Sequence, residues 1–177
     1  MKHFARTMAV VLSTLMVLAG VVAAEPTTLY LVRHAEKQKA SRDPSLSDEG
    51  TARAAALARV LADGGIDAVY ATQFARTRET AQPLADRRKL EVIVDEVSSG
   101  DIEAYARRFT GRLLAEQTGR SILIVGHSNT LPVLIRALGV DDAPSLTEED
   151  YDDLFVVTVY GSGLARLSHL HYGPESP

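Results

Sequence analysis

The sequence predicts an α/β fold: a three-layer α/β/α arrangement around a mostly parallel mixed sheet. Three observations carry that expectation. Residues 28 to 33, 66 to 71 and 121 to 126 are short apolar runs rich in Val, Ile, Leu and Tyr. They lack the polar alternation of a half-exposed strand, which marks strands covered on both faces. Between them apolar residues recur at three- and four-residue spacing, the mark of helices with one buried face, and strands alternating with helices put those helices on both faces of one sheet.

Each element follows from local signals. The first helix is read from Ala54, Leu57, Ala58 and Leu61, with Ser47 as its N-cap, Asp48 and Glu49 as an acidic first turn, and Gly64-Gly65 as its stop. A second helical pattern follows VYAT in FARTRETA and is interrupted at Pro83, which predicts a kink or a short helix. LEVIV at 90 to 94 adds a strand. Ile102, Tyr105, Ala106, Phe109 and Leu113 make a third helix, and Leu131, Leu134, Ile135 and Leu138 a fourth that stops at Gly139. LFVVTVY at 154 to 160 and LARLSHL at 164 to 170 flank Gly-Ser-Gly and predict a closing hairpin.

The first 24 residues read differently. Lys2 and Arg6 precede an apolar run from Met8, and small residues at Ala23 and Ala24 precede Glu25. This is the pattern of a signal peptide cut after Ala24, which predicts an exported chain, periplasmic or secreted, with no membrane attachment after cleavage; the alternative is a retained membrane anchor, against which Ser13 and Thr14 interrupt the apolar run. Residues 25 to 177 are then a single domain, a length suited to one core. That remainder keeps 17 Lys and Arg against 23 Asp and Glu, a net charge of −6. The balance excludes a basic nucleic-acid surface. The absence of cysteine excludes disulfides and thiolate metal sites.

Open α/β sheets bind ligands beyond the carboxyl ends of their strands. Those ends carry Arg33-His34, then Arg76 and Arg78 after VYAT, then Gly126-His127-Ser128-Asn129. Arginine presents a planar fork of donors that matches phosphate oxygens. Imidazole is neutral over much of the physiological range and nucleophilic through a ring nitrogen. Two of each on one rim suit a phosphoryl group: one imidazole attacks phosphorus while the other donates to an oxygen, and water later removes the phosphohistidine. No metal and no cofactor is required, because the arginines supply the positive charge.

LVRHAEK resembles the signature of the histidine phosphatase superfamily, which includes acid phosphatases and cofactor-dependent phosphoglycerate mutases. LSDEGTARAAAL, VYATQFARTRETA and VGHSNTLPVLI resemble the family's further segments, in the family's order, across residues 29 to 135. The resemblance implies a phosphoglycerate mutase-like fold and a phosphomonoesterase in which His34 is the nucleophile. It implies that Arg33 and Arg76 hold the phosphate and that His127 polarises it, with Arg78 a solvated helix residue. Family members protonate the leaving group with a Glu downstream of the second arginine or an Asp directly after the second histidine. Ser128 stands at the latter position here, so Glu96 is the first candidate acid and Asp101 the fallback, with water or Glu36 as the remaining alternatives, although Asp101 also reads as a helix N-cap. Export and the short segment from Arg76 to His127 favour hydrolysis at an open pocket over a shielded mutase. The substrate class is a small-molecule or protein-borne phosphate ester.

Other readings of the same residues remain. GHSNT resembles the nucleophile elbow of serine hydrolases, with Ser128 as nucleophile and His169 as base, but it leaves Arg33, His34 and Arg76 without a task. A non-catalytic binder of phosphorylated ligands fits the same four residues. Glu36 and Lys37 read as a solvated pair. His169 and His171 share a strand face without an evident third ligand, which predicts an exposed edge rather than a metal site. TEEDYDD at 147 to 153 reads as a solvated acidic turn.

Overall fold

The computed structural model describes residues 25–39, 41–97 and 100–176. The expected signal peptide, residues 1–24, lies outside them. The elements run β1 (Thr27–Arg33), α1 (Asp48–Val60), β2 (Ala68–Ala71), α2 (Ala75–Arg88), β3 (Val92–Val94), α3 (Ile102–Glu116), β4 (Ser121–Gly126), α4 (Leu131–Ala137), β5 (Asp153–Val159) and β6 (Ala165–His171). The strands form one sheet in the order β3-β2-β4-β1-β5-β6. The β1, β2, β3 and β4 pairings are parallel, while β5 joins β1 and β6 joins β5 antiparallel. The α/β class, the mixed sheet and the hairpin closed by Gly161-Ser162-Gly163 all match expectation.

Alternation along the strands builds two cores. Leu29, Leu31, Ile122 and Ile124 face Tyr105, Phe109, Leu113, Leu131 and Leu134, from α3 and α4. Val32, Val69, Leu123 and Val125 face Leu57, Leu61, Ala81, Leu84 and Ala85, from α1, α2 and the turn after α1. Phe109 is fully buried between Tyr70 and Tyr105. Truncating a side chain so placed costs about 3 to 5 kcal/mol.

Local rules explain the ends of the elements. Ser47 caps α1 by accepting from Gly50 N at 3.2 Å, and Asp101 caps α3 by accepting from Ala104 N at 2.8 Å. Gly50 has a second reason to be glycine: a Cβ there would stand 2.1 Å from the carbonyl oxygen of Glu36. The absent side chain lets the first turn of α1 press against the segment that leaves β1.

Two elements differ from their sequence signals. The helix with Pro83 continues through it for fourteen residues. Burial of Ala81, Leu84 and Ala85 against the sheet offsets the single donor that proline removes. The strand expected over 90 to 94 is only Val92–Val94 at the sheet's edge, with Ile93 and Val94 exposed. With one lateral partner, it pairs only where β2 runs beside it.

Candidate active site

In the sheet, β2, β4 and β1 are consecutive neighbours, so their carboxyl ends lie side by side. Arg33 ends β1, Thr72 follows β2, and His127 follows β4. His34 N donates to Gly126 O at 3.0 Å, which carries the parallel pairing one residue beyond the strand. The imidazoles of His34 and His127 meet edge to face, with centroids 5.3 Å apart. They open into a cavity of about 440 Å³ whose wall also includes Lys37, Phe74, Arg76, Ser128 and Glu148.

The protonation of His34 follows from its contacts. Its Nδ1 lies 2.8 Å from Ala35 O, and a carbonyl oxygen only accepts, so Nδ1 carries the hydrogen. Nε2 keeps its lone pair. Burial, followed by the charges of His127, Arg33 and Arg76, depresses the pKa to about 3, although the Ala35 bond opposes the shift. His34 is therefore a neutral imidazole across the physiological range. The loop that carries it is pinned from α2, where Thr80 Oγ1 accepts from Ala35 N at 2.9 Å and donates to Arg76 O at 2.7 Å.

His127 is held by a relay. Its Nε2 stands 3.0 Å from Thr72 Oγ1, which stands 2.9 Å from Thr77 Oγ1. Thr77 Oγ1 in turn faces the carbonyl oxygens of Phe74 at 2.8 Å and Thr72 at 3.1 Å. Because the chain ends on carbonyls, its hydrogens run one way: Thr77 donates to a carbonyl, Thr72 to Thr77, and His127 Nε2–H to Thr72. The arrangement fixes both the tautomer and the angle of the ring. Burial, then Arg76 and Arg33, holds its pKa down to about 4.

The two arginines differ in exposure. Arg33 is 1% exposed and does not line the cavity. The segment before β5 wraps it: NH1 donates to Thr147 O and Asp150 O, and NH2 to Glu148 Oε2 and Tyr151 OH, while the guanidinium lies 4.1 Å from the Tyr151 ring centre. Arg76 lies over Phe74 and 3.6 Å from Asp43. Nε of both arginines is buried without an acceptor among the described residues, which leaves two cationic donors unsatisfied.

Residues 29–98 match the model of the histidine phosphatase superfamily (branch 1). Over these residues the chain is similar to the histidine phosphatase superfamily. An uncharacterized protein of Mycobacterium tuberculosis (strain H37Rv) is 38% identical over 102 residues, covering 54% of this chain and 48% of that one. Phosphoserine phosphatase 1 of Hydrogenobacter thermophilus is 36% identical over 75 residues, 38% of this chain and 36% of that one. The matched region thus spans about half or less of these curated relatives. Among solved structures, mycobacterial glucosyl-3-phosphoglycerate phosphatase superposes with a TM-score of 0.69 at 18% identity, covering 84% of this chain and all of that one. The protein histidine phosphatase SixA with tungstate gives 0.65 at 19%, covering 81% and 96%. At such identities these two show the shared fold.

Within this fold His34, Arg76 and His127 line the cavity, Arg33 is buried off its wall, and Arg78 is exposed, as expected for a solvated helix residue. The expected acids do not reach the cavity. Glu96 is exposed and off its wall. Gln73 explains why: its amide donates to Val97 O and accepts from Val97 N, both at 3.0 Å, so Val97 is held on the wall. Asp95, beside it, turns inward to Arg108 and Arg112. Asp101 is occupied as the cap of α3.

Three features went unread in the sequence. Glu148, read as part of a solvated turn, is the one carboxylate on the described cavity wall and accepts from Ser128 Oγ at 2.8 Å. That bond, then Arg33, Lys37 and Arg76, lowers its pKa. Lys37 lines the cavity, and Glu36 pairs with the buried Arg53 at 2.7 Å, so these two are not a solvated pair. The first backbone donor of α2 is also committed, since Ala75 N donates to Asp43 Oδ1 at 3.0 Å. Ser128 bonds to Glu148 rather than to an imidazole, and His169 bonds to Asp153, so the elbow of a serine hydrolase has no base here.

Proposed function

We propose that this chain is a phosphomonoester hydrolase acting through a phosphohistidine on His34. The observation that carries the reading is the free Nε2 lone pair of a buried neutral imidazole, set beside two arginines whose Nε donors lack acceptors. A phosphoryl group held at Arg33, Arg76 and His127 supplies those acceptors. Nε2 forms a bond to phosphorus as the bond to the leaving oxygen breaks. Water then attacks phosphorus, the N–P bond breaks, and inorganic phosphate leaves with His34 restored. His127 donates to a phosphoryl oxygen through Nδ1 once the bound dianion has drawn a proton onto it, and Thr72 holds the ring throughout.

The leaving oxygen takes its proton from water. Glu148 is held ionised by Ser128 and its cationic neighbours, so it is no ready donor. General acids contribute about a hundredfold to ten-thousandfold, and a site without one acts fastest on leaving groups that need little help. A second cavity of about 430 Å³ shares Lys37 and Arg76 with the first and adds Lys39 and Arg42. Its charge suits a substrate that carries a further anionic group beyond the phosphate. The names of the relatives, glucosyl-3-phosphoglycerate phosphatase and phosphoserine phosphatase, are consistent with such substrates. The exported, periplasmic location read from residues 1–24 is part of this proposal.

Transfer of labelled phosphate from an aryl phosphate tests it. Acid-labile, base-stable label should appear on wild type and be absent from His34→Ala, with turnover falling by about a thousandfold or more. Vanadate binding without turnover of aryl phosphates would instead establish the phospho-ligand binder, which the ionised state of Glu148 keeps in view. Rates across phosphorylated alcohols with and without a carboxylate define the substrate class.

A further inference from the structure

β6 is an edge strand, and the sequence shows only two imidazoles on one of its faces. Pairing with β5 brings the missing ligand, because Asp153 stands opposite His171 and diagonal to His169. Asp153 Oδ1 lies 2.5 Å from His169 Nε2 and 3.6 Å from His171 Nδ1, and the three ligand atoms fall within 4.8 Å of one another. Asp152 Oδ2 is 3.2 Å from His171 Nδ1, while its other oxygen accepts from Ser176 Oγ. The two rings are 4.7 Å apart. None of the four residues lines the cavity at His34.

We propose that Asp153, His169 and His171 form a second, separate site that binds a divalent transition-metal cation of the zinc class, with Asp152 at its open side. The chemistry of the donors selects the class. Two imidazoles and a carboxylate suit a borderline cation, whereas calcium and magnesium prefer oxygen alone. The placement is unusual for a carboxylate: Asp153 is 8% exposed, and its only side-chain partners among the described residues are these imidazoles. A buried carboxylate facing two imidazole nitrogens offers a cation both charge and lone pairs. Ligand atoms around a tetrahedral zinc lie about 3.3 Å apart. The observed 2.5 and 3.6 Å bracket that spacing, and both imidazoles reach the surface of the edge strand.

The site also has a mechanical position. Asp152 and Asp153 directly follow Tyr151, whose ring packs under Arg33. A bound cation ties the start of β5 to the edge strand and so anchors the segment that wraps the phosphate arginine.

Titration of the full chain with Co²⁺, followed by visible absorbance, tests the proposal. One ion per chain should bind with ligand-field bands, and Zn²⁺ should displace it. His169→Ala and His171→Ala should each weaken binding by tenfold or more, whereas His34→Ala with His127→Ala should leave it unchanged. Both edge-strand histidines are exposed, so these variants retain the fold, and circular dichroism confirms it. Absence of saturable binding at millimolar Co²⁺ overturns the site, as does binding that survives the His169/His171 double substitution. Neither result bears on the phosphohistidine reading, whose own test is the label on His34.

Discussion

Glu148 Oε2 lies 3.1 Å from Arg33 NH2, joining a carboxylate that is 76% exposed to a guanidinium that is 1% exposed. The pair spans 115 positions of chain and places a negative charge beside the donors proposed to take a phosphoryl group. Glu148 thus competes with the anion it borders. Glu148→Gln should lower the inhibition constant for inorganic phosphate two- to tenfold, about 0.4 to 1.4 kcal/mol at a solvent-exposed charge. Turnover of an aryl phosphate at saturation should hardly change, since Glu148 donates no proton in the proposed reaction. A large loss of turnover confined to alkyl phosphates would identify it as the acid instead.

Thr72 bears on the imidazole of His127 rather than on substrate. Thr72→Val keeps the shape and removes the acceptor, leaving His127 Nε2–H unsatisfied at a cost of about 1 to 3 kcal/mol. The expected outcome is a ten- to hundredfold fall in kcat with KM nearly constant, and recovery in Thr72→Ser. A matched rise in KM without loss of kcat would contradict a positioning role.

Both cavity imidazoles are held neutral, with pKa values near 3 for His34 and 4 for His127 against 6.5 for a free imidazole. Between pH 6.5 and those values the unfolded chain binds protons that the folded chain refuses. Stability therefore falls as pH drops through that window and is constant above it. Urea unfolding from pH 7.5 to pH 4.5 should show the decline, and the double variant His34→Gln, His127→Gln should flatten it. An equal slope in that variant would assign the loss to other groups.

Two helical glycines offer a matched comparison of sterics. Gly50→Ala drives a Cβ into the backbone carbonyl of Glu36, and rigid backbone on both sides makes a loss of about 1 to 3 kcal/mol the expected result. Gly111, in α3, has nothing within 4 Å of the same atom, so Gly111→Ala should gain about 0.5 to 1 kcal/mol. Thermal melts of the two variants read both signs directly. Equal effects would mean that the first turn of α1 yields to Glu36 without cost.

Much of the site could be read from sequence because it is local to strand ends. Arg33, His34 and His127 sit where apolar runs stop, and sheet topology alone makes such ends converge. The place of Glu96 off the described cavity wall was not legible for the complementary reason. Glu96 follows a three-residue edge strand, and the direction of its side chain was decided by the Gln73 amide gripping Val97, a contact between segments that periodicity cannot relate. Pro83 misled similarly, since its penalty is local while the burial that outweighs it is tertiary.

The sequence by itself determined the layers, the helix caps at Ser47 and Asp101, and the residues delivered to the rim, because each rests on neighbours within a few positions or on hydrophobic period. Tertiary structure alone decided the cover over Arg33, the relay from His127 through Thr72 to Thr77, the place of Glu148 on the cavity wall, and the meeting of Asp153 with two histidines across a strand pair. These depend on where a returning chain lands and how its side chains then pair, and that is fixed by packing and hydrogen-bond satisfaction across the whole sheet.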